Sequence, residues 1–126
     1  MDFKENTKPI YLQIADRICD SIMSGEYGAE ERIPSVREYA ALVQVNANTV
    51  MRSYMHLSDK GVIYNKRGIG FFTSADACGK IKTLRTEEFF NDELKYFLSR
   101  LQAMEINPQQ IAELYQQFLT NNNAQS

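Results

Sequence analysis

Cysteine and histidine are scarce in this chain. Cys19 and Cys78 are its two cysteines and His56 its one histidine among 126 residues, and their number and spacing fit no zinc site. No metal is expected, and both thiols read as reduced and structural. Long apolar runs are missing too: nothing approaches the roughly 20 consecutive apolar residues of a membrane span. The N-terminal MDFKENTKP lacks the apolar core of a secretory signal, so a cytoplasmic protein without a membrane partner is expected. There is no nucleophile with a histidine and acid to pair it, and no phosphate-cradling glycine loop closing a strand. Neither enzymatic activity nor a cofactor is expected.

What is present is organised by position. The length suits one compact domain of about 70 to 80 residues with an appendage, which leaves no room for a second large ligand-binding domain. The composition, 44% hydrophobic and 24% charged, is that of a globular chain with a formal net charge of −2. That small net value conceals an asymmetry. From Arg32 to Arg67 six basic residues (Arg32, Arg37, Arg52, Lys60, Lys66, Arg67) face two acids (Glu38, Asp59), a local +4, while the remainder carries −6. Alone, such an excess is often a solvated surface; here it coincides with the segment that carries the most local structure signals.

Ile10, Ile14, Ile18 and Ile22 recur every four residues, with Tyr11, Ala15 and Cys19 beside them, so residues 9 to 24 are read as a first helix with Pro9 in its first turn. Gly25 and Gly28 mark a loop. Ser35 and Glu38 have the S-x-x-E spacing of a capping box, which predicts a short second helix to about Val43 with Val36, Tyr39, Ala40 and Val43 inward. After a turn at Gln44-Val45, Asn46 is a candidate N-cap for a third helix. Val50, Tyr54 and Leu57 form its core stripe, so Asn48 and Arg52 point the opposite way, with Thr49 and His56 on the flanks.

Lys60-Gly61 ends that helix, and Val62-Ile63-Tyr64 and Phe71-Phe72-Thr73 are β-rich segments around Asn65-Lys66-Arg67-Gly68-Ile69-Gly70. Two short helices, a tight turn and a basic glycine-tipped hairpin occur in the order of a winged helix-turn-helix. The outward face of the third helix suits a major groove. Asparagine pairs with adenine N6 and N7, arginine with guanine O6 and N7 or phosphate, and a threonine methyl meets thymine. Lys66 and Arg67 would carry charge to a minor groove or its phosphates, with Gly68 and Gly70 permitting close approach. Double-stranded DNA is therefore the expected partner.

Beyond residue 76 the pattern changes. Phe90, Leu94, Phe97, Leu101 and Met104 alternate spacings of four and three, with Phe89 and Leu98 widening the stripe. Asn107-Pro108 starts another helix, whose Ile111, Leu114, Tyr115, Phe118 and Leu119 share a side. The expectation is a helical hairpin whose apolar area exceeds what two helices hide by themselves, and hence a homodimer through Phe90, Leu94, Phe97, Leu101, Met104, Ile111, Leu114, Tyr115 and Phe118. The fold class expected is mainly α with a small β-hairpin (α+β). Residues 1–75 would form a winged helix-turn-helix DNA-binding domain, 76–121 a helical dimerisation module and 122–126 a disordered tail.

PIYLQI at 9–14, Gly25-Glu26, RIPSVRE at 32–38, VNANTVMRSY at 45–54, Leu57, Lys60-Gly61 and RGIGFF at 67–72 together resemble the GntR family of bacterial transcription regulators, and within it the short YtrA-like subfamily. The resemblance implies that Ser35 and Arg37 begin a helix lying over the DNA backbone, with Arg37 on a phosphate or a base edge. It places Asn46, Asn48, Thr49 and Arg52 at recognition positions and Arg67 with Gly68 at the wing tip. It further implies a nucleoid-associated homodimeric repressor of an inverted-repeat operator, controlling a transporter operon. Four positions depart from the family pattern: Ala47 where arginine is frequent, Gln44 where glycine is usual in the turn, and Ala29-Glu30 where Pro-Gly is common. The competing reading is a winged-helix module that binds another protein and no DNA. The sequence identifies no small-molecule effector and no operator.

Overall fold

The first helix, α1 (Ile10–Met23), starts immediately after Pro9 in the computed structural model, which describes residues 8–125. Pro9 is the N-cap rather than the first helical residue, and its carbonyl accepts from the amides of Leu12 and Gln13. Ile14, Ile18 and Ile22 are buried, as their four-residue spacing predicts, while Ile10 at the open end of the stripe is exposed. Gly25, at φ +88°, ends the helix. Its amide donates to Ile22 and that of Glu26 to Ser21, so two orphan carbonyls are satisfied.

The loop that follows lies along the hairpin. Arg32 bridges Phe72, the Ile33 amide donates to the Phe71 carbonyl at 3.0 Å, and the Thr73 amide donates to that of Glu31 at 2.9 Å. The buried Thr73 hydroxyl completes the attachment, donating to the Gly28 carbonyl and accepting from the Glu31 amide. No sequence periodicity signals this pairing, because a single bridge leaves no repeat.

Helix α2 (Val36–Val43) has the expected capping box, with the Glu38 amide donating to Ser35 Oγ at 3.1 Å and the Ser35 amide to Glu38 Oε1 at 3.0 Å. Gln44 ends it in the left-handed region, φ 56°. A side chain there costs roughly 1–2 kcal/mol against glycine, and the tight turn persists despite it. Helix α3 (Ala47–Asp59) follows with Val50, Tyr54 and Leu57 buried, and the Tyr54 hydroxyl donates to the Pro34 carbonyl at 2.6 Å. At its C-terminus Gly61 adopts φ +77°, while Val62 donates to Leu57 and Gly61 to Ser58. Val62 thus joins the two elements, its amide closing the helix and its carbonyl accepting from the Ser74 amide at 2.9 Å just beyond the hairpin. Strand β1 is Ile63–Lys66, pairing antiparallel with β2 (Gly70–Thr73).

Helix α4 (Ala77–Glu88) begins just past the hairpin and buries Ala77 and Ile81 in the same core. The first of two compact units therefore runs to Leu84, beyond the expected boundary at 75. Ala77 and Ile81, one turn apart, are too few to make a stripe in the sequence. Tyr39, Ala40 and Val43 of α2 and Ile33 complete this core, in which each fully buried aliphatic side chain is worth about 1.5–3 kcal/mol.

The second unit begins at Arg85. A π-helical stretch, Phe89–Leu94, leads into α5 (Lys95–Ala103). Glu105 turns the chain at φ 58°, and α6 (Pro108–Gln125) follows. Asn107 and Gln110 cap α6 reciprocally, the Gln110 amide on Asn107 Oδ1 at 2.9 Å and the Asn107 amide on Gln110 Oε1 at 3.1 Å. The helix carries on to Gln125 through residues expected as a disordered tail from 122, since helical backbone bonds propagate residue by residue once a helix is nucleated; Ser126 lies outside the described residues. Among the described residues, no helix is long and apolar enough to cross a membrane.

Candidate nucleic-acid interface

The start of α3 is built from short polar side chains with separate duties. Asn46 is exposed and its Oδ1 accepts from the Asn48 amide at 2.7 Å, so its carbonyl oxygen serves as the cap while its amide group stays open to a ligand. Asn48 and Arg52, one turn apart, are exposed, and Thr49 beside them is half-buried. These three share an open hollow with Pro9, Ile10 and Tyr11 from the start of α1. The core stripe on the opposite side fixes their direction: with Val50, Tyr54 and Leu57 buried, a 100° step per residue leaves 48 and 52 outward.

The sequence spacing places Tyr11 beside the apolar stripe of α1. In the structure its ring lies under a guanidinium, with Arg52 Cζ 4.0 Å from the ring centre, so it belongs with the polar face. The aromatic carries no sequence signal for that role, since its spacing serves the helix equally well.

Ser35 is half-buried with its hydroxyl in the capping box, and Arg37 on the first turn of α2 is exposed. The box holds the Glu38 carboxyl below the usual carboxylate range, chiefly through the Ser35 backbone amide and then the Ser35 hydroxyl. Tyr54 and Tyr39 both have raised pKa values because burial disfavours their phenolates, and they remain neutral at physiological pH. Their packing, with Tyr54 also edge-on to Phe71 at 5.0 Å, supports α3 from the core side.

The hairpin ends in a tight turn in which the Ile69 amide donates to Lys66 at 2.9 Å. Gly68 occupies its third position at φ +81°, a value that a side chain disfavours and a type II turn requires. Lys66, Arg67 and Gly68 are all exposed. Lys66 Nζ sits 4.7 Å from the centre of the Phe72 ring, which itself stacks on Tyr64. Arg32 is a second contributor that sequence reading counted only as charge: its Nε comes within 3.0 Å of where a Cβ on Gly70 would stand. Glycine at 70 is thus needed both for its φ of +140° and for the arginine beside it.

The second unit presents a different surface. Among the residues expected to pair two chains, Phe90, Phe97, Met104, Leu114, Tyr115 and Phe118 are exposed and Leu94, Leu101 and Ile111 half-buried. No residue of the π-helical stretch or of α5 is buried.

Residues 10–73 match the family of bacterial regulatory proteins termed the gntR family. The chain is 32% identical over 111 residues to the uncharacterised HTH-type transcriptional regulator YhcF of Bacillus subtilis strain 168, covering 86% of this chain and 88% of that protein. It is 35% identical over 72 residues to the HTH-type transcriptional repressor YtrA of the same organism, covering 57% of this chain and 55%, about half, of YtrA. A solved structure of a putative transcriptional regulator of the GntR family from Bacteroides thetaiotaomicron is 51% identical, with a TM-score of 0.79 over 90% of this chain and 99% of that one.

Proposed function

The chain belongs to the GntR family of DNA-binding transcription regulators, which are not enzymes, and on that premise we propose that it is a homodimeric repressor reading an inverted-repeat operator. The observation that carries the proposal is the shared hollow of Asn48, Thr49 and Arg52 on the outward face of α3. In the major groove these side chains offer an amide for adenine, a methyl for thymine and a guanidinium for guanine. Asn46 adds its amide group, Ser35 and Arg37 approach the phosphates from α2, and Lys66, Arg67 and Gly68 reach the adjacent groove.

The dimer is proposed from the second unit. Its exposed aromatic and aliphatic side chains need an apolar cover, and a second copy supplies one by symmetry. Two recognition helices would then meet half-sites about one helical turn, 34–36 Å, apart. Repression follows from occupancy, since a dimer seated on a promoter excludes polymerase unaided, and YtrA carries that name. The YtrA-like resemblance points to a transporter operon as the regulated unit.

Selection of binding sites from random duplex DNA, followed by titration at two salt concentrations, tests this reading. The expected result is an enriched inverted repeat whose affinity falls about a thousandfold or more between 50 and 200 mM salt, as for some six to eight neutralised phosphates. Absence of enrichment at low salt from folded protein would overturn it and favour a protein partner for the winged helix.

A further inference from the structure

The first turn of α1 is tied to the recognition helix at three points. The buried Ser53 hydroxyl donates to the Tyr11 carbonyl at 2.6 Å. The Tyr11 ring meets the His56 imidazole edge-on, with centroids 6.1 Å apart and planes at 80°. Arg52 then lies over the face of that ring, with Cζ 4.0 Å from its centre. Ser53 and His56 fix the tyrosine from backbone and ring, so the platform under Arg52 is rigid on both sides. Among the described residues no ion pair or hydrogen bond anchors the guanidinium; the ring is what holds it.

A cation–π contact leaves the guanidinium fork without an oxygen partner, so the donors needed for guanine O6 and N7 stay available. A long arginine side chain otherwise has many rotamers to lose when it enters a groove, and prior orientation removes that penalty. We infer that Tyr11 is a positioning residue for base readout, holding Arg52 at the hollow it shares with Asn48 and Thr49. The inference rests on the proposed role of Arg52 as a base reader, and it adds a residue from outside the helix-turn-helix to the determinants of operator choice.

A double-mutant cycle in the full chain tests it, using the selected operator and a random duplex with Tyr11→Leu, Tyr11→Phe, Arg52→Ala and the Tyr11→Leu/Arg52→Ala pair. Tyr11→Leu should weaken operator binding about three- to tenfold, the scale of a partly desolvated cation–π contact, and change random-duplex binding by less than about twofold. Tyr11→Phe should bind as the unaltered protein does, because the ring face carries the effect. In the Arg52→Ala background Tyr11→Leu should cost nothing more. Equal losses in both backgrounds, or a loss with Tyr11→Phe, would overturn the inference. An Arg52→Ala protein that keeps full operator preference would overturn the underlying reading instead, and the single variant alone reports that. An NMR measurement needs no substitution: the Arg52 δ-protons of the free protein should be shifted upfield by the ring, and random-coil positions would overturn the inference.

Discussion

The two units use the same pattern to opposite ends. In the first, apolar residues at helical spacing on α1 and α3 are driven inside, so that Ile14, Val50 and Tyr54 are fully buried and what remains outside is mainly polar and charged, with Ile10, Met51 and Met55 the exposed large apolar side chains of those helices. In the second, Phe97, Leu114 and Phe118 repeat at the same spacings yet stay 48%, 60% and 57% exposed. An amphipathic stripe states that a helix needs a cover and says nothing about whose atoms provide it. The first unit has three helices, a hairpin and the start of α4 to close on one another; the second has only neighbours as open as itself.

The largest test of that contrast is to charge the open face. Phe97→Glu with Phe118→Glu should leave single chains of 14.5 kDa in sedimentation velocity and reduce operator affinity by about a hundredfold or more, since linked half-site binding depends on effective concentration. The circular dichroism signature of the winged unit should survive. A protein that keeps its mass and affinity would mean that the second unit's face is covered in some other way.

Matched truncations sharpen the same point. Ile18, 1% exposed, and Leu114 are both aliphatic members of a stripe. Ile18→Ala should cost about 2–5 kcal/mol of unfolding free energy, independent of protein concentration. Leu114→Ala should cost less, and its deficit relative to the unaltered protein should vanish on dilution into the monomer range, because the residue contributes only in the assembly. Identical concentration dependence in the two variants would remove the distinction between the units.

Within the first unit the contrast is between reading and holding. Asn48→Ala and Arg52→Ala should each cost about 1–3 kcal/mol per half-site on the operator and relax base preference, whereas Lys66→Ala should weaken operator and random DNA alike and lower the salt slope by about two, one for each subunit of the dimer. Equal losses for all three on both DNAs would abolish that division.

Much of this was legible in the sequence because local chemistry dictated it. The Ser35–Glu38 box, the Asn46 cap, the Val50-Tyr54-Leu57 stripe and the Gly61 stop are each determined within a few residues, and all four stand where the spacing put them. Features that depend on distant chain were not. The Arg32–Phe72 bridge joins residues with no shared pattern. The burial of Ala77 and Ile81 depends on a pocket made by earlier elements. The π-helical stretch at Phe89–Leu94 breaks a register that looked regular. Tyr11 shows the subtler case, in which a residue correctly placed on a helix face meets a neighbour from another helix that changes its role.

The smallest expected effect separates the units by acid. Both contain a reciprocal cap, but the box of α2 uses a carboxylate, Glu38, where that of α6 uses an amide, Gln110. The folded Glu38 pKa lies below its ordinary value because the Ser35 amide and hydroxyl favour the charged form. Its contribution is therefore fully present above the unfolded carboxylate range, near pH 4.3, and is lost as pH falls through the lower folded value. In an NMR titration the Ser35 amide should shift with that acid-side step while the Asn107 amide stays flat. Glu38→Gln retains an acceptor and should flatten the Ser35 response, whereas Ser35→Ala should remove the box and cost about 1 kcal/mol at neutral pH. A Ser35 amide that does not move down to pH 2.5, or one that moves in step with Asn107, would show that Glu38 does not hold this cap in solution.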